Sequence, residues 1–300
     1  MPADVKPIPW TDIDTIFLDV GNTLISIDFD RVAEELAARK FLCESEALRR
    51  AEAAARPGYS ERVFVTGVPP HRSLFHWYLF AILEKYPGDF VPPDPLTPSL
   101  AGTPTPHSAP AARSRAHSLA SLASLSPTAL DELVTEIGPI LRPEGRASVL
   151  WRMVMPGVPE ALERLQRQGL MLAVISNSDG TCAQSLEEAG LLRYLNFVID
   201  SAEVGVEKPD PRIFEIALAR CAADPRRTLY IGDLYHADVV GARGAGLHAL
   251  LLDPYGDWPE MDCERARDLA EVADRMATDH VHWTSRNPGA ILGGKNKDLP

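Results

Sequence analysis

Three hundred residues, 45% of them apolar and 24% charged, are enough to bury the core of one large domain or two modest ones. The formal net charge of −12 argues against proteins that meet phosphate backbones or anionic lipid with clustered Lys and Arg, so neither nucleic acid nor a membrane surface is an expected partner. No stretch approaches a membrane span, and Met1 to Lys6 lack a basic region followed by an apolar run, so a cytoplasmic location is expected. Cys43, Cys182, Cys221 and Cys263 are far apart with no C-x-x-C pair and read as free thiols, and His280 and His282 read as solvated.

In chain order, the first informative stretch is Asp14 to Leu24. Ile16 to Leu18 reads as a short buried strand that ends at Asp19, with Gly21 and Asn22 as turn residues. Asp30 can cap a helix over 31–56, with Val32, Leu36, Phe41, Leu42 and Leu48 as its buried positions. A second helix is predicted over 71–86. Its Leu74, Phe75, Trp77, Tyr78, Phe80, Ala81 and Leu83 make an apolar surface too broad for a single stripe.

From 87 to 127 the composition turns to Pro, Ser, Ala and Thr, which reads as a flexible insertion with a short helix near 117–125. Helices are predicted again over 128–140 and 144–153. Beyond Pro156 short apolar strands (171–175, 197–199, 228–231, 248–252) alternate with helices (157–168, 181–189, 211–221, 237–245). That alternation predicts a parallel sheet covered on both faces. The expected fold is α/β, a doubly wound, Rossmann-like parallel-sheet core from 10–27 and 150–278. Residues 28–149 are expected as an inserted α-helical cap and 279–300 as a disordered tail.

The tips of parallel strands lie side by side, so the polar residues that end these strands converge. They are Asp19, Ser176-Asn177-Ser178 after Ile175, the Glu207-Lys208-Pro209 run beyond the 197–199 strand, and Gly232-Asp233 after Ile231 with Asp238 following. In this order the four segments, Asp19-Val20-Gly21-Asn22-Thr23, Ser176, Lys208 and Gly232-Asp233-Leu234-Tyr235-His236-Ala237-Asp238, resemble the motifs of the haloacid dehalogenase superfamily of aspartate-nucleophile hydrolases. The helical insert sits where family members with an α-helical cap carry it.

The resemblance implies a fold, an activity and a site. Asp19 would be the nucleophile that accepts a phosphoryl group from a small phosphorylated metabolite. Mg²⁺ would be held by Asp19, Asp233, the Gly21 backbone carbonyl and Asp238. Lys208 would balance charge, while Ser176 and Asn177 would contact phosphate oxygens. In-line attack by a carboxylate on a phosphate brings anions together, which is why a divalent cation and a Lys belong beside it.

One position departs from the pattern. Family phosphatases carry a second Asp two residues after the nucleophile, serving as acid and then base; here it is Gly21. Three other readings therefore stand beside a phosphatase: a non-catalytic binding or regulatory protein on the same fold, a carbon–phosphorus hydrolase, and a dehalogenase. The carbon–phosphorus reading needs a cap lysine, for which only Lys40 and Lys85 are available. The dehalogenase reading is disfavoured by the metal-site pair Asp233 and Asp238. Substrate identity and oligomeric state are not legible in the motifs.

Overall fold

A computed structural model describes residues 5–69, 72–87, 121–143, 146 and 149–286. By contact the chain divides into two units, one of residues 1–28, 56–69 and 142–300, the other of 29–55 and 70–141.

The first unit is built on a six-stranded parallel sheet. Its strands are β1 (Thr15–Leu18), β4 (Met171–Ser176), β5 (Phe197–Asp200), β6 (Thr228–Gly232), β7 (His248–Leu252) and β8 (Glu264–Ala266), in the order β5-β4-β1-β6-β7-β8. β1 lies at the centre, paired in parallel with β4 on one side and β6 on the other. The strand order reverses around it, which makes the carboxyl end of β1 the topological switch point where open α/β sheets bind ligands.

Successive side chains point to opposite faces, and both faces are dry. Ile16 and Leu18 join Leu172, Val174, Leu229, Ile231, Leu250 and Leu252 under the helices α5 (Val158–Arg167) and α10 (Leu269–Arg286). Phe17 joins Ala173, Ile175, Tyr230, Ala249 and Leu251 under α8 (Pro211–Cys221) and α9 (Gly241–Gly244), the short helices α6 (Cys182–Glu188) and α7 (Ser201–Val204) following β4 and β5 in the chain. Burial on both faces is why these strands read as continuous apolar runs. A second, antiparallel pair joins β2 (Ile25–Ile27) to β3 (Trp151–Val154), with Ile27 opposite Trp151.

The second unit is helical, with α1 (Phe29–Ala37), most of α2 (Ser45–Glu61), α3 (Leu74–Glu84) and α4 (Pro127–Leu141). The apolar surface of α3 is buried along Tyr78 to Leu83, and α4 contributes Leu130, Leu133, Val134, Ile137 and Leu141. Asp131 on α4 ties the two helices, accepting from Arg72 at 2.7 Å and pairing with the His76 ring at 2.7 Å.

Several elements differ from the sequence reading. The helix over 31–56 is two, broken where Lys40 takes φ +68°, a left-handed conformation that cannot continue a helix. Leu42, in the break, is 65% exposed and Phe41 is only half-buried. α2 runs on to Glu61, and residues 56–69 group with the sheet unit rather than with the inserted helices.

Residues 151–153, read as helix, are strand, because Trp151 to Val154 pair with β2. The helix over 237–245 is a π-helical turn, Tyr235–Val240, followed by α9. β8 and α10 were not expected, and α10 extends through Arg286 into the span read as a disordered tail. Most of the 87–127 insertion (residues 88–120) and the tail beyond 286 lie outside the described residues.

Candidate active site

The site is assembled at the carboxyl ends of β1, β4 and β6, all within the sheet unit. β1 delivers Asp19, whose backbone N–H donates to the Ile231 carbonyl at 2.9 Å and so registers it against β6. β6 runs out through Gly232 into Asp233. The π turn that follows brings Asp238 back, its Oδ2 accepting from the Leu234 N–H at 2.8 Å. Gly232 is required here, because a Cβ on it would stand 2.3 Å from Asp238 Cγ and Oδ2.

Lys208 reaches the site from the loop beyond β5. Asn177, just past β4, fixes that loop with both ends of its amide: Oδ1 accepts from the Lys208 N–H at 2.7 Å, and Nδ2 donates to the Lys208 carbonyl at 3.0 Å. These two bonds commit the Asn177 side chain to positioning Lys208, apart from the phosphate contact that the sequence reading gave to Ser176 and its neighbouring backbone N–H groups. Ser176, 6% exposed, ends β4 beside it. The loop after β4 hangs on Asp200, whose carboxylate accepts from the Gly180, Cys182 and Ala202 N–H groups.

The Lys208 ammonium uses its three protons on three buried partners. It donates to Asp19 Oδ1 at 2.6 Å, Asp238 Oδ1 at 2.7 Å and the Tyr230 hydroxyl at 2.8 Å. Tyr230 in turn donates to the Ile175 carbonyl at 2.9 Å. Burial alone pushes the Lys208 pKa down, but Asp19 and Asp238 override it and hold the group well above the usual lysine value. Burial acts oppositely on Asp19: opposed by Lys208 and reinforced by Asp238, it pushes that carboxyl up to about 6.

Asp233 has its own cation. Arg56, on α2 and within the residues that group with the sheet, places Nε 3.3 Å from Asp233 Oδ2, with both side chains 4% exposed. Asn22, in the left-handed region at φ +51°, donates to the same oxygen at 3.2 Å. Asn is one of the few residues that tolerates that conformation.

Asp19, Asp233 and Asp238 each offer a carboxylate oxygen, all within 4.8 Å of one another. A cluster of hard oxygen donors, with Lys208 and Arg56 beside it, fits Mg²⁺. Of the residues predicted from the motifs, Asp19, Lys208 and Asp238 form one hydrogen-bonded network, with Asp233 within 4.8 Å of the two carboxylates and Asn177 supporting Lys208. Ser176 and Gly21 lie at the adjoining strand ends. Arg56, Tyr230 and Trp151 were not singled out, and Asn22 was read only as a turn residue of the first motif; Tyr230 carried a signal, as a hydroxyl inside an otherwise apolar buried strand.

A sequence profile of haloacid dehalogenase-like hydrolases matches residues 13–246. The chain belongs to that family. Among curated relatives it is 40% identical over 99 residues to haloacid dehalogenase-like hydrolase domain-containing protein 3 of Bos taurus, a match covering 33% of this chain and 39% of the relative. It is 35% identical over 127 residues to ribulose-1,5-bisphosphate 5-phosphatase of Halopiger xanaduensis (42% and 49% covered). It is 40% identical over 118 residues to phosphoserine phosphatase of Thermus thermophilus (38% and 47% covered). The matches thus span less than half the length of these curated relatives.

The fold of this family member is similar to the magnesium-bound HAD-hydrolase YfnB of Bacillus subtilis, at a TM-score of 0.53 and 16% identity over 88% of this chain and 98% of that one. Among the described residues no helix is long and apolar enough to cross a membrane.

Proposed function

We propose that this chain is a Mg²⁺-dependent phosphohydrolase that acts through an aspartyl-phosphate on a small phosphorylated molecule. The observation that carries the proposal is the Lys208 ammonium bridging Asp19 and Asp238 at 2.6 and 2.7 Å beside Asp233. Such an arrangement serves a carboxylate that must stay ionised while it approaches an anion. The phosphatase names of the relatives agree with this reading.

Asp19 would attack phosphorus in line with the departing oxygen. Asp19, Asp233 and Asp238 would hold Mg²⁺, with the Gly21 carbonyl as the further ligand that the family resemblance implies. The bound ion would supply charge neutralisation between nucleophile and phosphate. Lys208 keeps Asp19 anionic and stands ready to draw charge on the phosphoryl oxygens. Ser176 would contact a phosphoryl oxygen through its hydroxyl, and Asn177 through its backbone N–H. Arg56 holds Asp233 in place.

The test is phosphate release from a panel of phosphorylated metabolites and aryl phosphates, with and without Mg²⁺, by wild type and Asp19→Asn. Turnover that needs both Mg²⁺ and Asp19 supports the proposal. Equal turnover by both forms, or none by either, refutes it.

A further inference from the structure

Gly21 stands where a side chain could have served as the acid for the leaving oxygen, and its backbone gives no reason for glycine. It is not among the glycines with positive φ. What excludes a side chain is Trp151. A Cβ built on Gly21 would lie 3.0 Å from indole Cζ3, 3.3 Å from Cη2 and 3.7 Å from Cε3. The first of these is tighter than ordinary van der Waals contact, before any carboxyl group is added.

The backbone that carries the indole is anchored. Trp151 opens β3 and lies opposite Ile27, and the Asp28 N–H donates to the preceding carbonyl, Leu150, at 2.9 Å. Arg152 pairs with Asp28 at 3.0 Å, and the ring packs against the core cluster that includes Leu24 and Ile25. The place beside the nucleophile is therefore filled by the hydrocarbon edge of a ring, which can neither give nor take a proton.

We infer that Gly21, with the Trp151 ring filling the place of its side chain, sets the substrate class of this site, leaving no acid at residue 21 and restricting efficient turnover to phosphoryl compounds whose leaving oxygen departs without a proton: aryl, enol or acyl phosphates. The inference rests on the phosphohydrolase reading above. In the first step an Asp19 oxygen bonds to phosphorus as the bond to the leaving oxygen breaks. That oxygen keeps the electron pair as a phenolate, enolate or carboxylate. In the second step water attacks phosphorus, the Asp19–phosphorus bond breaks, the carboxylate is restored, and the water proton passes to solvent or to the released phosphate. Alkoxides are too basic to leave this way, so alkyl phosphates are poor substrates.

The experiment compares kcat/KM for 4-nitrophenyl phosphate, acetyl phosphate and glycerol 3-phosphate with Mg²⁺ in four forms: wild type, Gly21→Asp, Trp151→Ala and the double variant. Melting temperatures are measured alongside. Wild type is expected to favour the activated compounds over the alkyl ester by at least about 10²-fold, the lower end of what general acid catalysis contributes. Gly21→Asp alone keeps that gap and lowers the melting temperature, because its side chain meets the indole. Trp151→Ala alone keeps the gap, because no acid has been supplied. The double variant narrows the gap at least about tenfold, and its melting temperature exceeds the value that adding the two single effects gives.

A narrowing by Gly21→Asp alone overturns the inference, as does a wild type that hydrolyses the alkyl ester as readily as the activated compounds. Additive melting temperatures with no narrowing in the double variant also overturn it. Absence of turnover of every compound by wild type, matching Asp19→Asn, overturns the phosphohydrolase reading itself and the substrate class with it.

Discussion

Replacing Lys208 with methionine removes a buried positive charge while keeping most of the side-chain volume. The ammonium is 4% exposed and bonded to Asp19, Asp238 and Tyr230, so the variant leaves two buried carboxylates facing each other without their shared cation. Removing one partner of a buried ion pair costs about 3–5 kcal/mol, a large part of the roughly 5–15 kcal/mol that holds a typical domain together. At about 2–4 °C per kcal/mol for a unit of this size class, the melting temperature should fall by about 6–20 °C near pH 7.5.

The loss should depend on pH, with a sign fixed by Asp19. Its carboxyl titrates at about 6 in the folded protein against 3.8 without its surroundings, so its contribution to stability is fully present below about 3.8 and is lost as pH rises through about 6. Above that pH the folded state must hold an ionised, buried Asp19, and Lys208 is what makes this tolerable. Without Lys208 the Asp19 pKa moves higher still. The variant's penalty is therefore smaller near pH 5, where Asp19 carries a proton in both forms, than near pH 7.5. Denaturant unfolding at the two pH values measures both penalties. A loss below about 1 kcal/mol at both, or a larger loss at pH 5, would refute the assignment of Lys208 as the compensating charge.

Gly232→Ala should displace Asp238, since the new Cβ would stand 2.3 Å from its Cγ and Oδ2. The expected overpacking cost is about 1–3 kcal/mol or more, with weaker Mg²⁺ binding by calorimetry, and unchanged binding would contradict the placement. Tyr230→Phe leaves Lys208 one acceptor short and removes the hydroxyl that donates to the Ile175 carbonyl. It should cost about 1–3 kcal/mol and reduce turnover less than Lys208→Met does, as unfolding curves and initial rates would show. Mg²⁺ should raise the melting temperature, with a gain equivalent to about 2.7 kcal/mol at a hundred times its Kd. The gain should be larger near pH 7.5 than near pH 5, because protons compete for Asp19 below about 6; a larger shift at pH 5 would contradict the site.

The sheet was legible because strands buried on both faces leave runs such as Met171 to Ile175 and His248 to Leu252, whose extents agree with the structure to within a residue. Asp19 and Asp233 were legible because they stand at or just past the end of such a run, and Asp238 because it follows Asp233 in the same motif. Elements without that signature were missed. β8 is only three residues long, and β2 and β3 pair although Ile27 and Trp151 are 124 positions apart (151 − 27), which no local pattern encodes. A similar separation hid Trp151 as a neighbour of Gly21.

Arg56 was hidden differently. A charged residue near the end of a predicted surface helix reads as solvated, and only the tertiary fold buries it against Asp233. The use of the Asn177 amide on the Lys208 main chain was hidden too, because that contact depends on two loops from different strands. Lys40, one residue in a left-handed conformation, sufficed to divide a helix that periodicity ran together.

The role of Asp19 as the nucleophile of a Mg²⁺ site is tested most directly by rapid acid quench followed by intact-mass measurement. With 4-nitrophenyl phosphate and Mg²⁺, wild type should show a transient gain of one phosphoryl group, located on Asp19 by peptide mapping, together with release of 4-nitrophenol. Asp19→Asn, which keeps the shape but loses the nucleophilic charge, should show neither. A phosphoryl group found on another residue, or 4-nitrophenol release undiminished in Asp19→Asn, would contradict the account.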